Sequence, residues 1–362
     1  MKDMLTLSLK TGEQFTGSSF GYYGKTDGEV VFNTGVTGYE ETLTDPSYRG
    51  QILVITQPLV GNYGIPDDTQ RDEFDILKYF ESDDIHVKAV IISEYSEQFS
   101  HWKAVKSLGD WLKERKIPGI SGVDTRHLTQ ILRDQGSTLG VINKPEESIS
   151  FDNVIDPNTK NLVDEVSVKE IKTLTPEKPK KKVALIDCGV KNNILRCFLK
   201  RDIELVLCPW DTDVSTLGAF DGLFISNGPG DPKKVADTVG KSINWAIEKE
   251  IPTFGICLGN QLTSLAIGAD TYKMPYGHRG INQPCIDQAT GRCYITSQNH
   301  GYAVDENTIP SDWELAWTSA NDGSTEGIRK KDGKAFTVQF HPEACPGPED
   351  TEYLFDEFIK ML

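Results

Sequence analysis

The stretch KEIKTLTPEKPKKK, residues 169–182, is rich in Lys and Pro and nearly devoid of apolar side chains, and it interrupts a chain whose remaining length is patterned for folding. A solvated connector is the expected reading of such a run, rather than an address signal or an anion patch. At 362 residues the chain is too long for one ordinary core, so the connector predicts two domains, 1–168 and 183–362. All seven cysteines (188, 197, 208, 257, 285, 293 and 345) follow residue 187, which strengthens the division. Their odd number and the lack of any CxxC pair argue against a disulfide framework or a zinc ribbon. Acidic residues outnumber basic ones by 54 to 38, and no basic cluster is interleaved with aromatics, so nucleic acid is not the expected ligand. Apolar runs such as KAVII at 88–92 are too short to span a membrane. The opening MKDMLTLSLKTGEQ lacks the apolar stretch of a secretory signal, and a cytoplasmic location is expected.

The two halves differ in their periodicity. In the first, the segments LTLSLKTGEQFTGSSFG, GEVVFNTG, QILVITQP, AVIISEY and TLGVI read as strands, with helical patterns only in SLGDWLKERK and DTRHLTQILRDQ, which predicts a β-rich α+β domain. In the second, KVALIDCG, a helix from Asn192 to Lys200, ELVLCPW, DGLFISNGPG, a helix from about Lys234 to Glu248, and PTFGIC alternate strand and helix. That alternation predicts an α/β domain with a mostly parallel central sheet. RCYITSQNHGYAV and AFTVQFHPE read as further strands before a closing helix in DTEYLFDEFIKML.

Gly255-Ile256-Cys257-Leu258-Gly259 lies where an apolar strand gives way to a helical pattern. G-x-C-x-G is the thiol counterpart of the G-x-S-x-G elbow, in which a tight turn lifts the nucleophile above the sheet and no Cβ is tolerated beside it. The helix N-terminus favours a thiolate there. On this pattern alone a buried structural cysteine reads equally well. The sequence FHPE changes the balance, because His341 and Glu343, two apart, can point the same way on extended backbone. A carboxylate beside an imidazole fixes its tautomer and stabilises the imidazolium, so Cys257, His341 and Glu343 together form a candidate nucleophilic triad. The loop SNGPGDP, residues 226–232, lacks both the P-loop lysine and the GxGxxG spacing. It is better suited to supply a backbone N–H at Gly230, beside that of Leu258, to an oxyanion.

NGPGDP, PTFGICLGNQL, SQNHGYAV and FHPE, in this order and spacing, resemble the class I glutamine amidotransferases over essentially all of 183–362. The stretch VVFNTGVTGYEETLTDPSYRGQILVITQPLVGNYG and the motif GVDTRHLT resemble the small, glutamine-hydrolysing subunits of carbamoyl-phosphate synthases. The resemblance implies that Cys257 forms a glutamyl thioester and releases ammonia while His341, oriented by Glu343, moves protons. It implies that Ser47, Gln261, Asn299, Gly301 and Tyr302 hold L-glutamine, with Gly228, Gly230 and Leu258 around the reacting carbonyl. It further implies a large synthase subunit as partner, carrying the ATP and Mg that make carbamoyl phosphate, with no cofactor or metal in this chain. Rival expectations are the glutaminase of another amidotransferase and a catalytically silent sensor or scaffold. The family often has histidine where this chain has Asn260, a departure expected to be harmless because His341 already supplies the base. His86, His101, His127, His278 and His300 show no metal-ligand spacing and are expected to be structural.

Overall fold

Leu5, Leu7 and Leu9 are fully or almost fully buried in a strand that cannot hide both of its faces alone, and the first half of the chain solves this by closing its sheet on itself. In the computed structural model, which describes residues 3–362, seven strands form a closed barrel. They are β1 (Met4–Leu9), β2 (Gln14–Ser19), β3 (Thr26–Asn33), β4 (Gln51–Ile55), β5 (Ala89–Ile91), β6 (Gly119–Ser121) and β7 (Thr138–Asn143). Their order around the barrel is β1-β7-β3-β4-β5-β6-β2, parallel from β3 through β6 and antiparallel elsewhere. Helices α1 (Tyr39–Thr44), α2 (Leu108–Glu114) and α3 (Thr125–Gln135) belong to the same unit. Ser107 and Asp124 cap α2 and α3 by accepting from the backbone N–H of Asp110 and His127.

The second unit is built on a ten-stranded sheet, β8 (Lys172–Leu174), β9 (Lys181–Asp187), β10 (Ile203–Pro209), β11 (Gly222–Ile225), β12 (Thr253–Ile256), β13 (Thr271–Asp287), β14 (Cys293–Val304), β15 (Trp313–Ser319), β16 (Thr325–Lys330) and β17 (Ala335–Val338). Its order is β8-β10-β9-β11-β12-β17-β16-β14-β13-β15, with the run from β10 to β17 parallel. Helices α4 (Asn192–Leu199), α5 (Ala236–Glu248), α6 (Leu258–Ala266) and α7 (Tyr353–Met361) accompany it. One core holds Phe198, Phe224, Phe254, Phe355 and Phe358, with edge-to-face contacts such as Phe198–Phe224 and Phe198–Phe355 at 5.0 and 5.1 Å between centroids. Truncating one such ring costs about 3–5 kcal/mol.

Two expectations need correction. The stretch 169–182 is not a free connector: Lys172–Leu174 pairs antiparallel with Leu205–Leu207, and Lys181 already begins β9. Its charged side chains sit on an edge strand, where solvent takes one side and the backbone still has a ladder to join. The compact units also divide earlier, at Lys160/Asn161, and Asp72–Ile76 of the first half belongs to the second unit. Ile76 is part of the second unit's apolar core, and Asp72 Oδ2 lies 2.7 Å from Arg196 Nε with both side chains nearly buried. The long strand β13 was also invisible to periodicity. Pro275, Gly277, Gly280 and Pro284 punctuate it, and register shifts between Lys273 and His278 and between Gly280 and Gln283 accommodate them.

Candidate active site

Strand β12 ends at Ile256 and α6 begins at Leu258, so Cys257 alone makes the turn, with φ 55° and ψ −103°. A non-glycine residue held there stores about 1–3 kcal/mol of strain, which the surroundings must over-determine. They do so partly through the Cys257 N–H, which donates to Val338 O at 2.8 Å. Both elbow glycines are sterically required. A Cβ on Gly259 would stand 2.2 Å from the Ile225 carbonyl oxygen, and one on Gly255 would stand 2.7 Å from that of Gly259. Gly228 is equally confined: a Cβ there would fall 2.1 Å from Cys188 O and 2.9 Å from Leu258 Cδ2, so the NGPGDP loop lies against the start of α6. Gly230 has φ 86°, left-handed backbone that suits glycine. The first amides of α6 lack intrahelical acceptors, so the N–H of Leu258 is by position a free donor beside the sulfur.

His341 lies three residues beyond the end of β17, fixed by its own N–H donating to Ser297 O at 2.8 Å. Its Nδ1 is 2.6 Å from Glu343 Oε1, its Nε2 is buried, and the Cys257 sulfur is a further neighbour interacting with the ring. Burial works against a charged imidazole, but Glu343 and the neighbouring Cys257 sulfur outweigh it and raise His341 to about 10. Burial likewise opposes the Glu343 carboxylate, and here Lys191 and His341 win, holding it down at about 2. Lys191 escaped the sequence reading. Its Nζ lies 3.1 Å from Glu343 Oε1 and donates to Ala344 O at 2.5 Å, while Asn193 Nδ2 donates to Glu343 O. A lysine two residues beyond the apolar stretch KVALIDCG, past the carboxyl end of a strand where ligands of such folds bind, was the available signal. Cys188, Cys197, Cys208 and Cys285 are all pushed up by burial toward the neutral thiol, which marks them as packing residues.

Strand β14 brings other expected residues to the same place. The Cys257 sulfur lies 3.6 Å from the main-chain oxygen of Asn299, and Gly301 and Tyr302 follow on the same strand. Gln261, one turn into α6, uses its Nε2 to donate to Tyr302 O at 3.0 Å and to Gln339 Oε1 at 3.1 Å. Cys257, His341, Glu343, Leu258, Gln261, Asn299 and Tyr302 are thus joined by contacts within the second unit. Ser47 belongs to the first unit, on a short 3-10 turn Pro46–Tyr48, with its N–H donating to Asp45 Oδ1 at 2.9 Å. Asn260 is wholly buried, its Nδ2 donating to Gln339 Oε1 at 3.0 Å and its Oδ1 accepting from Thr337 Oγ1 at 2.6 Å.

His278 and His300 face each other across β13 and β14, and with Glu326 their ligand atoms lie within 4.8 Å of one another. Spacing in sequence gave no hint of this cluster. Hydrogen bonds account for its imidazole nitrogens: His278 pairs with Asp322 at 2.9 Å and with Glu326 at 3.3 Å, and His300 pairs with Tyr302 O at 2.8 Å and with Gln298 Oε1 at 3.2 Å.

Parallel sheet, cysteine elbow and His-Glu pair define a class I glutamine amidotransferase domain, and residues 184–361 match the family described as glutamine amidotransferase class-I. Residues 7–142 match the carbamoyl-phosphate synthase small chain, CPSase domain. The chain belongs to the carbamoyl-phosphate synthase small chain family: it is 48% identical over 360 residues to the carbamoyl phosphate synthase arginine-specific small chain of Neurospora crassa, covering 99% of this chain and 79% of that one. It is also 48% identical over 389 residues to the multifunctional protein pyrABCN of Emericella nidulans, and 49% identical over 374 residues to the multifunctional protein pyr1-3 of Dictyostelium discoideum. Those alignments take in 99% and 98% of this chain but 17% of each multifunctional protein, so the chain spans about a sixth of their length. No helix among the described residues is long and apolar enough to cross a membrane.

Proposed function

We propose that this chain is the glutaminase component of a glutamine-dependent carbamoyl-phosphate synthase. The observation that carries the reading is the strained, buried Cys257 beside an imidazole that Glu343 holds charged, with Nδ1 and Oε1 2.6 Å apart. His341 enters the reaction as the imidazolium, which Glu343 and the neighbouring sulfur both favour. The sulfur attacks the side-chain amide carbon of L-glutamine, and the carbonyl electrons move onto oxygen, where the N–H of Leu258 and a backbone N–H of the Gly228–Gly230 loop stabilise them. Collapse of this intermediate breaks the C–N bond as His341 passes its proton to the departing nitrogen, giving ammonia and a glutamyl thioester. Neutral His341 then takes a proton from water, the hydroxide attacks the thioester, and glutamate leaves as the C–S bond breaks. Glutamine and water become glutamate and ammonia, and the Cys257–His341 pair returns to its starting protonation.

Asn299, Gly301, Tyr302 and Gln261 would hold the substrate's carboxylate and ammonium, for which amides and main-chain groups are suitable partners. The ammonia would pass to a large synthase subunit, or to the remainder of a fused multifunctional chain, where ATP, Mg and bicarbonate are used. Cytoplasmic action agrees with this chemistry. In the assembled enzyme, Cys257→Ala should abolish glutamine-dependent synthesis and leave synthesis from added ammonia intact. Retained glutaminase activity in that variant would exclude the mechanism, and a silent scaffold would show none in the parent.

A further inference from the structure

The polar groups beneath the elbow form a chain of hydrogen bonds with one direction. Tyr302 O is a main-chain carbonyl and can only accept, so the Gln261 group facing it at 3.0 Å is the NH2. The same Nε2 faces Gln339 at 3.1 Å, which fixes Gln339 with its oxygen inward. That oxygen then accepts from Asn260 Nδ2 at 3.0 Å, and Asn260 Oδ1 takes the Thr337 hydroxyl proton at 2.6 Å. Gln339, Asn260 and Thr337 have no measurable exposure, so water offers none of them an alternative partner. The Nε2 of Gln339 is buried without a partner, so Gln339 acts here through its oxygen alone. Both protons of the Gln261 amide are committed to the interior, and Gln261 Oε1 accepts no hydrogen bond among the described residues.

We infer that Gln339 is a positioning residue that, together with Tyr302 O, locks the Gln261 amide so that its oxygen is presented to the substrate, selecting an α-ammonium group. This deepens the reading of Gln261 as a glutamine-binding residue and rests on it. An amide free to turn over could offer either a donor or an acceptor. A locked one offers only an acceptor, which an ammonium satisfies and which an analogue lacking the amino group leaves unpaired.

The test compares kcat/KM of the full chain for L-glutamine and for glutaramate, which is glutamine without its α-amino group. Gln339→Met removes the acceptor at nearly constant volume and should lower the glutamine-to-glutaramate ratio by about fivefold or more, the scale of one hydrogen bond. Gln261→Met should lower it at least as far. Gln339→Glu keeps an acceptor oxygen and should preserve the ratio, and it decides the matter should Gln339→Met not fold: a ratio as low as that of Gln261→Met overturns the inference. Equal losses for both substrates in Gln339→Met, with the ratio unchanged, also overturn it while leaving Gln261 in the substrate site. An unchanged ratio in Gln261→Met removes Gln261 from that site, and the inference with it.

Discussion

Lys191 Nζ and Glu343 Oε1 are 3.1 Å apart, with the two side chains only 3% and 0% exposed, so the carboxylate that orients the His341 imidazole is itself held by a buried cation. Such a pair is weak evidence of net stabilisation, but removing one member strands the other. Lys191→Met should therefore destabilise the fold by about 3–5 kcal/mol in denaturant titrations. It should also lower kcat more than it changes KM, since no substrate contact is assigned to it. A variant as stable and as fast as the parent would show that Glu343 needs no counter-charge from this side.

The same site predicts a window of pH. His341, raised to about 10 from an ordinary 6.5, contributes stability that is complete below about pH 6.5 and is lost as pH climbs through 10. Glu343, lowered to about 2 from 4.5, contributes stability that is complete above about pH 4.5 and is lost as pH falls through 2. Urea unfolding of Glu343→Gln should differ from the parent most between about pH 4.5 and 6.5 and converge with it toward both extremes. A stability difference independent of pH would contradict the charged pair.

The side-chain hydrogen bonds of Asn260 run to Gln339 and Thr337, none of them to the sulfur or to His341. Asn260→His should accordingly change glutamine turnover by less than about tenfold, or about 1.4 kcal/mol of barrier. A loss as deep as that of His341→Ala would place Asn260 in the chemistry.

On the proposed reading, free release of ammonia would waste glutamine, and the glutaminase would wait for its partner. The Gly228-Pro229-Gly230 turn is suited to rotating a peptide N–H toward or away from the oxyanion. The isolated chain should bind glutamine yet turn it over slowly, and the large subunit with ATP and bicarbonate should raise kcat by at least about tenfold. Steady-state rates that are identical with and without the partner would mean the oxyanion site is already formed.

What the sequence made legible followed from local periodicity and tight steric demands. The glycines around Cys257 announced a turn that the Ile225 and Gly259 carbonyls close to any Cβ, and the two-residue spacing of His341 and Glu343 placed them on one side. The groups that were missed act across long separations. Lys191 reaches Glu343 from 152 positions away, and Gln339 receives Asn260 and Gln261 from 79 and 78 away. Polar Thr337, Gln339 and His341 at alternate positions of the otherwise apolar run AFTVQFH could have been read as one inward row, but their partners could not. The edge strand at 172–174 was hidden because pairing satisfies its backbone while its side chains remain those of a solvated segment.

Asp72–Ile76 gives the polypeptide a topology unlike beads on a string, since the chain leaves the barrel, lends five residues to the other unit, and returns. A gene fragment starting at Asn161 would omit Ile76 from the apolar core and the carboxylate that meets Arg196. Dissection of this protein into halves therefore cannot follow any single cut. A surrogate for the missing loop, supplied as a peptide or grafted by circular permutation, is what a stand-alone version of the amidotransferase half would require.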